Sequence, residues 1–388
     1  MLSQQPIHIL PGGAGVQIAP PVSSAPAPAI PPVPVMSPEL ARLLRPLFNS
    51  ASPNGGVSVA VIRGNERTVA CRGYTDHAGE RPVRADTRFE LGSVTKTFTA
   101  LLLAEMVARG EVRYDDPIDQ YLPAGSVPGY PHERPITLLH LATHTSGLPR
   151  LPVGLTPAAV PRWFTNPYAT YSTAHLMRAL PRTPVRGTPG GQVRYSSLGC
   201  GLLGLVLEHA AGQRYEELLA SRVCGPLGLI DTSCGPGREP ATGYRRGRRV
   251  PSFRLPALPG AAALRSTADD MLRFLQAHLS VDAVQIPEWS GSAGSLRGAL
   301  RDVSRPRIER RRSGARICLI WNQRSLGEEG EAVYQSGSTR GFSAFVGFNP
   351  AMQVGLVAMA STVPGLRRRF TQTAYELLRR LSTSPADG

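Results

Sequence analysis

The segment Ser93-Val94-Thr95-Lys96 pairs a hydroxyl with an amine at the start of a helical pattern. Residues three apart share one helix face, so the two groups can meet. A serine is a poor nucleophile without a base beside it, and a desolvated neutral lysine can be that base. Free amides at a helix N-terminus also suit a developing oxyanion. Such a spacing often arises by chance, but here composition adds weight. Of 43 basic side chains, Lys96 is the one lysine; the rest are arginines. Arginine holds its proton near neutral pH, whereas a lysine gives it up when its surroundings depress its pKa. A chain that uses arginine wherever a cation suffices has kept an amine three residues after a serine.

Two further segments carry hydroxyls and small residues. Tyr195-Ser196-Ser197 immediately precedes an apolar helical run, Leu198 to Ala211. A tyrosine beside a cationic amine can be held as phenolate and exchange protons; alone, it reads as a turn tyrosine packing on the core. Gln335-Ser336-Gly337-Ser338 ends a strand-like run. Its small residues let a substrate lie along the strand edge, with the Ser338 amide as a second oxyanion donor. His140 and His144 have the i, i+4 spacing of zinc ligands, but no third ligand is evident, so neither metal nor cofactor is expected. There is no G-x-S-x-G elbow, which removes the usual α/β-hydrolase reading.

These segments need elements to position them. Ser37 can cap a helix with Pro38 at its first position, running to Phe48 unless Pro46 kinks or ends it. Strands are expected over 56–63 and 67–73, joined by Gly64-Asn65, with Arg88 to Glu90 extended. A largely buried helix should run from Ser93 to Ala108. Helices are then expected over Thr137–His144, Ser172–Leu180, Ser197–Ala211 and Tyr215–Val223, followed by an irregular basic connection over 237–258. Thr267–Leu279 is a clear amphipathic helix with acids at its N-terminal end. The C-terminal part returns to strands at Ala315–Trp321, Glu331–Gln335, Phe342–Phe348 and Gln353–Ala360, then a helix over Arg368–Leu381. The simplest architecture is an α/β (α+β) chain whose one sheet is built from both ends. Residues 37–110 and 260–388 would form the sheet domain, 111–259 a mainly helical domain, and 1–36 a disordered proline- and alanine-rich arm.

Composition excludes other classes. Apolar residues make up 41% and charged residues 18%, as in a globular chain. The net charge of +15 raises nucleic acid as a partner, but aromatics are only 6% and the arginine runs (Arg245 to Arg249, Arg305 to Arg316, Arg367 to Arg369) lie far apart. Solvated surface charge is the expectation, with no nucleic-acid partner. Five cysteines without C-x-x-C spacing fit free thiols in a reducing compartment. The first lysine or arginine is Arg42, so no cationic leader region is expected, and prolines through 17–36 forbid a membrane helix. A cytoplasmic protein with no membrane partner is expected.

Together the three chemical segments resemble the serine β-lactamase superfamily, in the branch of class C β-lactamases, penicillin-binding DD-peptidases and the esterases and transacylases derived from them. The supporting text includes Phe89 to Lys96, Asp115-Asp116-Pro117, Ile136 to Leu148, Tyr195 to Gly199, Leu264 to Met271 and Gly341-Phe342-Ser343. The resemblance implies an antiparallel sheet flanked by helices plus a helical domain, with the site between them. It implies Ser93 as the acylated nucleophile, Lys96 and Tyr195 sharing base and acid work, and the Ser93 and Ser338 amides as the oxyanion hole. Ser197, Gln335, Ser336 and Gly337 would contact substrate. Two positions depart from the pattern. Ser197 stands where asparagine is usual, and Gln335 where lysine or histidine is usual. Glutamine offers no charge, so a substrate carboxylate loses a charge-assisted bond of roughly 1.5–3 kcal/mol unless a nearby arginine such as Arg340 replaces it. The expected activity is therefore that of an intracellular esterase, amidase or acyl-transfer enzyme on a small ester or amide, with an amine or alcohol as possible acceptor. The alternatives are a natural-product transacylase, a β-lactamase or DD-peptidase, or a catalytically silent binding protein.

Overall fold

Eight strands form one antiparallel sheet: β1 Val57–Arg63, β2 Glu66–Arg72, β7 Ile308–Glu309, β8 Arg316–Ile317, β9 Asn322–Ser325, β10 Glu331–Ser338, β11 Ser343–Asn349 and β12 Val354–Ala360. Their order is β2-β1-β12-β11-β10-β9-β8-β7, so the first and last strands of the chain lie side by side, with Val57 opposite Ala360. The structure, a computed structural model, describes residues 36–51, 55–79, 81–130, 134–155, 166, 168–235, 237, 240–310, 314–361 and 369–383. The expected arm, apart from Met36, lies outside the described residues, as does the expected helix start at Arg368.

The central strands β1, β11 and β12 are buried along their whole length. Alternation along β1 shows why. Val57, Val59 and Val61 belong to one apolar cluster and Ala60 and Ile62 to another, as successive side chains point to opposite faces. On the first face lie α1 (Pro38–Ser50), through Leu40, Leu44 and Leu47, and α10 (Phe370–Thr383), through Phe370, Ala374, Leu377 and Leu381. α1 runs on through Pro46; fully buried Leu44 and Leu47 on either side hold it against the sheet despite the lost backbone bond.

The other face receives α8 (Ala268–Leu279), and α2 (Thr95–Ala108) joins the same apolar cluster. Thr267 caps α8 by accepting from the Asp270 amide. Every residue of α2 from Thr95 to Met106 is buried. The helical half contributes α3 (Leu138–Ala142), α4 (Thr173–Ala179), α5 (Ser197–Ala211) and α6 (Tyr215–Leu219). Its Leu141, Leu202 and Leu218 share one continuous apolar cluster with Phe98 of α2 and Val357 of the sheet. The described residues belong to one compact unit.

Four local expectations differ from the structure. The strand over Ala315–Trp321 stops at Ile317; Cys318 to Trp321 form a turn closed by Cys318 N–H donating to Trp321 O at 2.9 Å, with Ile320 at φ +69°. The Ile320 amide donates to Ala142 O at 2.7 Å, so this apolar run plugs the core beside α3 instead of extending the strand. The helix from Tyr215 ends at Leu219 and continues as a wider turn over Ala220–Cys224. The basic connection contains a hairpin, β4 (Gly243–Arg245) with β5 (Arg248–Val250). Helix α9 (Ala293–Asp302) packs on α2 and was not expected. Two short elements complete the frame: α7 (Pro259–Ala262), and β3 (Phe89–Glu90) paired with β6 (Arg265–Ser266). Among the described residues no helix is long and apolar enough to cross a membrane.

Candidate active site

Ser93 sits in a tight turn, Gly92–Val94, between β3 and α2. Glycine is required on both sides of it. Gly92 adopts φ +52°, and a Cβ there would stand 2.7 Å from Ser338 N. A Cβ at Gly337 would stand 2.0 Å from Leu91 O and 2.9 Å from Ser93 N. The end of β10 is thus packed backbone to backbone against the serine turn. This brings the main chain of Ser338 beside that of Ser93.

α2 then directs Lys96 back toward the serine. The Lys96 amine is fully buried and donates to Ser93 Oγ at 2.9 Å and to the Ala261 carbonyl of α7 at 2.7 Å. From the other side the Tyr195 hydroxyl donates to the same Oγ at 2.6 Å. Tyr195 is 37% exposed. The amine lies 5.2 Å from the Tyr195 ring centroid. The Lys96 amine, one helical turn from Ser93, and the Tyr195 phenol, 102 positions away, therefore meet at the Ser93 hydroxyl oxygen.

Tyr195 is held by the start of α5. Ser196 caps that helix, accepting from the Gly199 amide at 2.8 Å and donating to Pro149 O at 2.7 Å. The Ser196 amide donates to His144 Nδ1 at 3.3 Å, and the His144 ring lies 4.7 Å from that of Tyr195. Burial, with Lys96 nearby, pushes the His144 pKa down to about 3, so the ring stays neutral and accepts. His144 holds φ +58°, an uncommon backbone state for histidine. The spacing that reads as zinc ligation thus has another use: His140 Nδ1 accepts from the Thr137 amide in a capping box, while His144 positions Tyr195. Among the described residues no group of three His, Cys, Asp or Glu side chains is placed to hold a metal ion.

Depressed histidines carry a stability consequence. Burial also lowers His278, to about 4. The unfolded chain takes up these protons below about pH 6.5 while the folded chain refuses them. The stability is therefore present above pH 6.5 and lost as pH falls toward 4 and 3, by about 1.4 kcal/mol per pH unit for each histidine. The melting temperature should drop between pH 7 and pH 5. His144→Asn, which tolerates positive φ and still accepts a hydrogen bond, should show a smaller drop. An equal drop in the variant would mean His144 does not titrate this way.

A cavity of about 380 Å³ opens on this cluster, lined by Ser93, Tyr195, His144, Gln335, Ser336, Gly337 and Ser338 among others. A larger cavity, about 550 Å³, lies by Pro259 and Ala263 and contains none of the three reactive groups, so chemistry and not size marks the site. Gln335 lines the smaller cavity, beside Ser93, but its amide is engaged within the protein: Nε2 donates to Ile320 O and Oε1 accepts from the Ser336 amide. Ser197 is the first residue of α5, and its amide donates to Arg150 O; it does not line the cavity. Arg340 does not line it either and sits near Arg245. Arg150 and Arg310 do line it. Sequence reasoning missed these two, and also the Ala261 carbonyl, which has no side-chain signature at all.

This constellation sits within a chain whose sequence matches the beta-lactamase family model over residues 49–380. The chain belongs to the beta-lactamase family. Among its relatives, the D-alanyl-D-alanine-carboxypeptidase/endopeptidase AmpH of Escherichia coli K12 is 33% identical over 59% of this chain and 59% of that protein. A beta-lactamase of the same organism is 29% identical over 79% of this chain and 84% of its own length. Esterase EstB of Burkholderia gladioli is 30% identical over 58% of this chain and 65% of the esterase. The chain thus spans less than two thirds of AmpH and of EstB. The large antiparallel sheet flanked by helices is consistent with the fold of this family.

Proposed function

We propose that this beta-lactamase-family chain is a serine acyl hydrolase that works on a small ester or amide through an acyl-Ser93 intermediate. The observation that carries the reading is Ser93 Oγ held between Lys96 Nζ at 2.9 Å and Tyr195 Oη at 2.6 Å. Ser93 Oγ attacks the substrate carbonyl and its proton passes into the Lys96–Tyr195 pair. The oxyanion of the tetrahedral intermediate is met by the amides of Ser93 and Ser338. The intermediate collapses as the carbonyl–leaving-group bond breaks, and the leaving alcohol or amine takes the proton. Tyr195, exposed and lining the cavity, faces the leaving group, whereas Lys96 is sealed behind Ser93. Water then repeats the sequence in reverse on the acyl-enzyme.

An amine or alcohol acceptor in place of water would give acyl transfer through the same intermediate. The five free thiols, three of them buried, favour a reducing, cytoplasmic setting. The neutral, internally bonded amide of Gln335 argues against dependence on the third-motif cation used for β-lactam or peptide carboxylates.

A fluorophosphonate probe should label wild-type protein on Ser93, and a panel of p-nitrophenyl esters should turn over. Ser93→Ala should lose both, with its melting temperature retained. Absence of labelling and of turnover in the wild type would overturn the proposal in favour of a silent binding protein. Adding amines to a turning-over ester and looking for amide product separates transfer from hydrolysis.

A further inference from the structure

The cavity of about 550 Å³ beside Pro259 and Ala263 has no part in the chemistry proposed above. Its volume lies within the range of small-molecule sites, ~300–1,000 Å³. Leu205, Tyr215, Leu255, Ala257, Pro259 and Ala263 give it apolar walls. Burial pushes the Cys234 thiol in the same wall up to about 12, so that thiol stays protonated and adds one more apolar surface. Charges of both signs line the cavity. Arg214 pairs with Glu217 and Arg265 with Glu90, which leaves Glu208 and Glu216 against Arg254. Neither sign is concentrated, so the walls suit a neutral molecule.

Its buried polar groups are engaged, with one exception. Arg265 is buried, and its guanidinium donates to Cys234 O at 2.7 Å, to Phe253 O and Ser252 Oγ at 2.9 Å and to Glu90 Oε1 at 3.4 Å. Glu208 accepts from the Tyr215 amide at 2.8 Å. The exception is Arg265 Nε, buried without a hydrogen-bond partner among the described residues. Native structures seldom leave such a donor unsatisfied. An acceptor oxygen on an occupant would satisfy it. The cavity also reaches the catalytic centre through α7, a helix of 4 residues. Pro259, its first residue, and Ala263, just after it, line the cavity. Between them, Ala261 O accepts from Lys96 Nζ at 2.7 Å and Gly260 O accepts from Thr99 Oγ1 at 2.8 Å. The hydroxyl of Tyr215, a wall residue, bonds the same Thr99 hydroxyl at 2.8 Å. One turn of helix thus separates this cavity from the amine that serves Ser93.

We propose that this cavity is an effector site for a neutral, mainly apolar molecule carrying one carbonyl oxygen, and that its occupant raises turnover at Ser93 through α7. An occupant gains its contacts with Pro259 and Ala263 while α7 keeps the place in which Ala261 O holds Lys96. Binding therefore favours that arrangement over any other that α7 takes. The effect on turnover rests on the acyl-hydrolase reading above; the binding itself does not.

Prodan, 6-propionyl-2-(dimethylamino)naphthalene, tests it: a neutral fluorophore with one ketone, whose emission moves to the blue out of water. It should bind the wild type with that shift, about 10-fold tighter than its 6-propyl analogue, which lacks the acceptor. Labelling Ser93 first with a fluorophosphonate fills the catalytic cavity and should leave Prodan binding intact. Thr173 is exposed at the start of α4 and lines the effector cavity. Thr173→Trp should fill the mouth without entering the core, keep the melting temperature and lose the probe. Pro256→Trp, at another exposed wall position, takes its place if that variant unfolds. At saturation Prodan should raise kcat for 4-nitrophenyl valerate by about 5-fold or more, with KM little changed, in the wild type and not in the filled variant. The inference is wrong if Prodan does not bind, if fluorophosphonate displaces it, or if the filled variant binds it undiminished. Binding that leaves kcat of a working enzyme unchanged also overturns it, while the acyl hydrolase stands. If no ester turns over and fluorophosphonate does not label Ser93, the acyl-hydrolase reading falls and the effector role with it.

Discussion

Lys96→Arg should abolish acylation of Ser93, lowering kcat/KM by about 10²–10⁴-fold, the range expected for loss of a positioned proton-transfer group. The substitution keeps the capacity to donate to Ala261 O. It removes the ability to accept a proton at neutral pH. The site is fully buried, so the larger guanidinium overpacks it at a cost of about 1–3 kcal/mol, visible as a lower melting temperature. Lys96→Met controls for this: it matches the lysine in length, adds no bulk and also lacks the amine. Both variants should fold, give native circular dichroism and fail to acylate. Near-normal turnover in either would show that Lys96 is not part of the proton path.

Gly337→Ala should be almost as damaging without touching any reactive side chain. Its new Cβ would stand 2.0 Å from Leu91 O and 2.9 Å from the Ser93 and Val94 nitrogens, and these are backbone atoms that cannot rotate away. β10 must withdraw from the serine turn, taking the Ser338 amide with it. Loss of one oxyanion donor lowers kcat by about 10²–10³-fold, or 2.7–4 kcal/mol. KM should change far less than kcat, since the defect acts on the transition state. Gly298→Ala in α9 is the matched control: its Cβ meets only Ala108 Cβ at 3.9 Å, an ordinary contact. That variant should keep full activity and gain about 0.5–1 kcal/mol of stability from helix propensity. Undiminished kcat in Gly337→Ala would show that the Ser338 amide is not an oxyanion donor.

What could be read from the sequence was local. Ser93 and Lys96 lie one turn apart, so a helical pattern alone brings them together, and 2.9 Å separates them. The apolar run after Tyr195-Ser196-Ser197 marked the start of α5, hence the place of Tyr195, and Ser196 proves to cap that helix. The β1–β2 hairpin and α8 were equally plain, because turn residues, caps and apolar periodicity agreed. What escaped depended on distant packing. Cys318 to Trp321 is a continuous apolar run that reads as a strand, yet the core beside α3 takes it as a turn. Gly294 and Gly298 obscured α9, which its packing on α2 sustains. The Ala261 carbonyl carries no residue-type signal, and Arg150 and Arg310 become neighbours of one cavity only when the sheet and the helical half close around it. Gln335 was singled out as a departure; that its amide turns inward to Ile320 and Ser336 needed coordinates.

The central claim is that Ser93 carries the acyl group. Acid-quenched mixtures of the protein with a slowly deacylating ester, read by intact mass and peptide mapping, test it most directly. The account predicts one acyl adduct per chain on the peptide containing Ser93, present in wild type and absent from Ser93→Ala and Lys96→Met. An adduct on another residue, or steady ester turnover in Ser93→Ala, would contradict it.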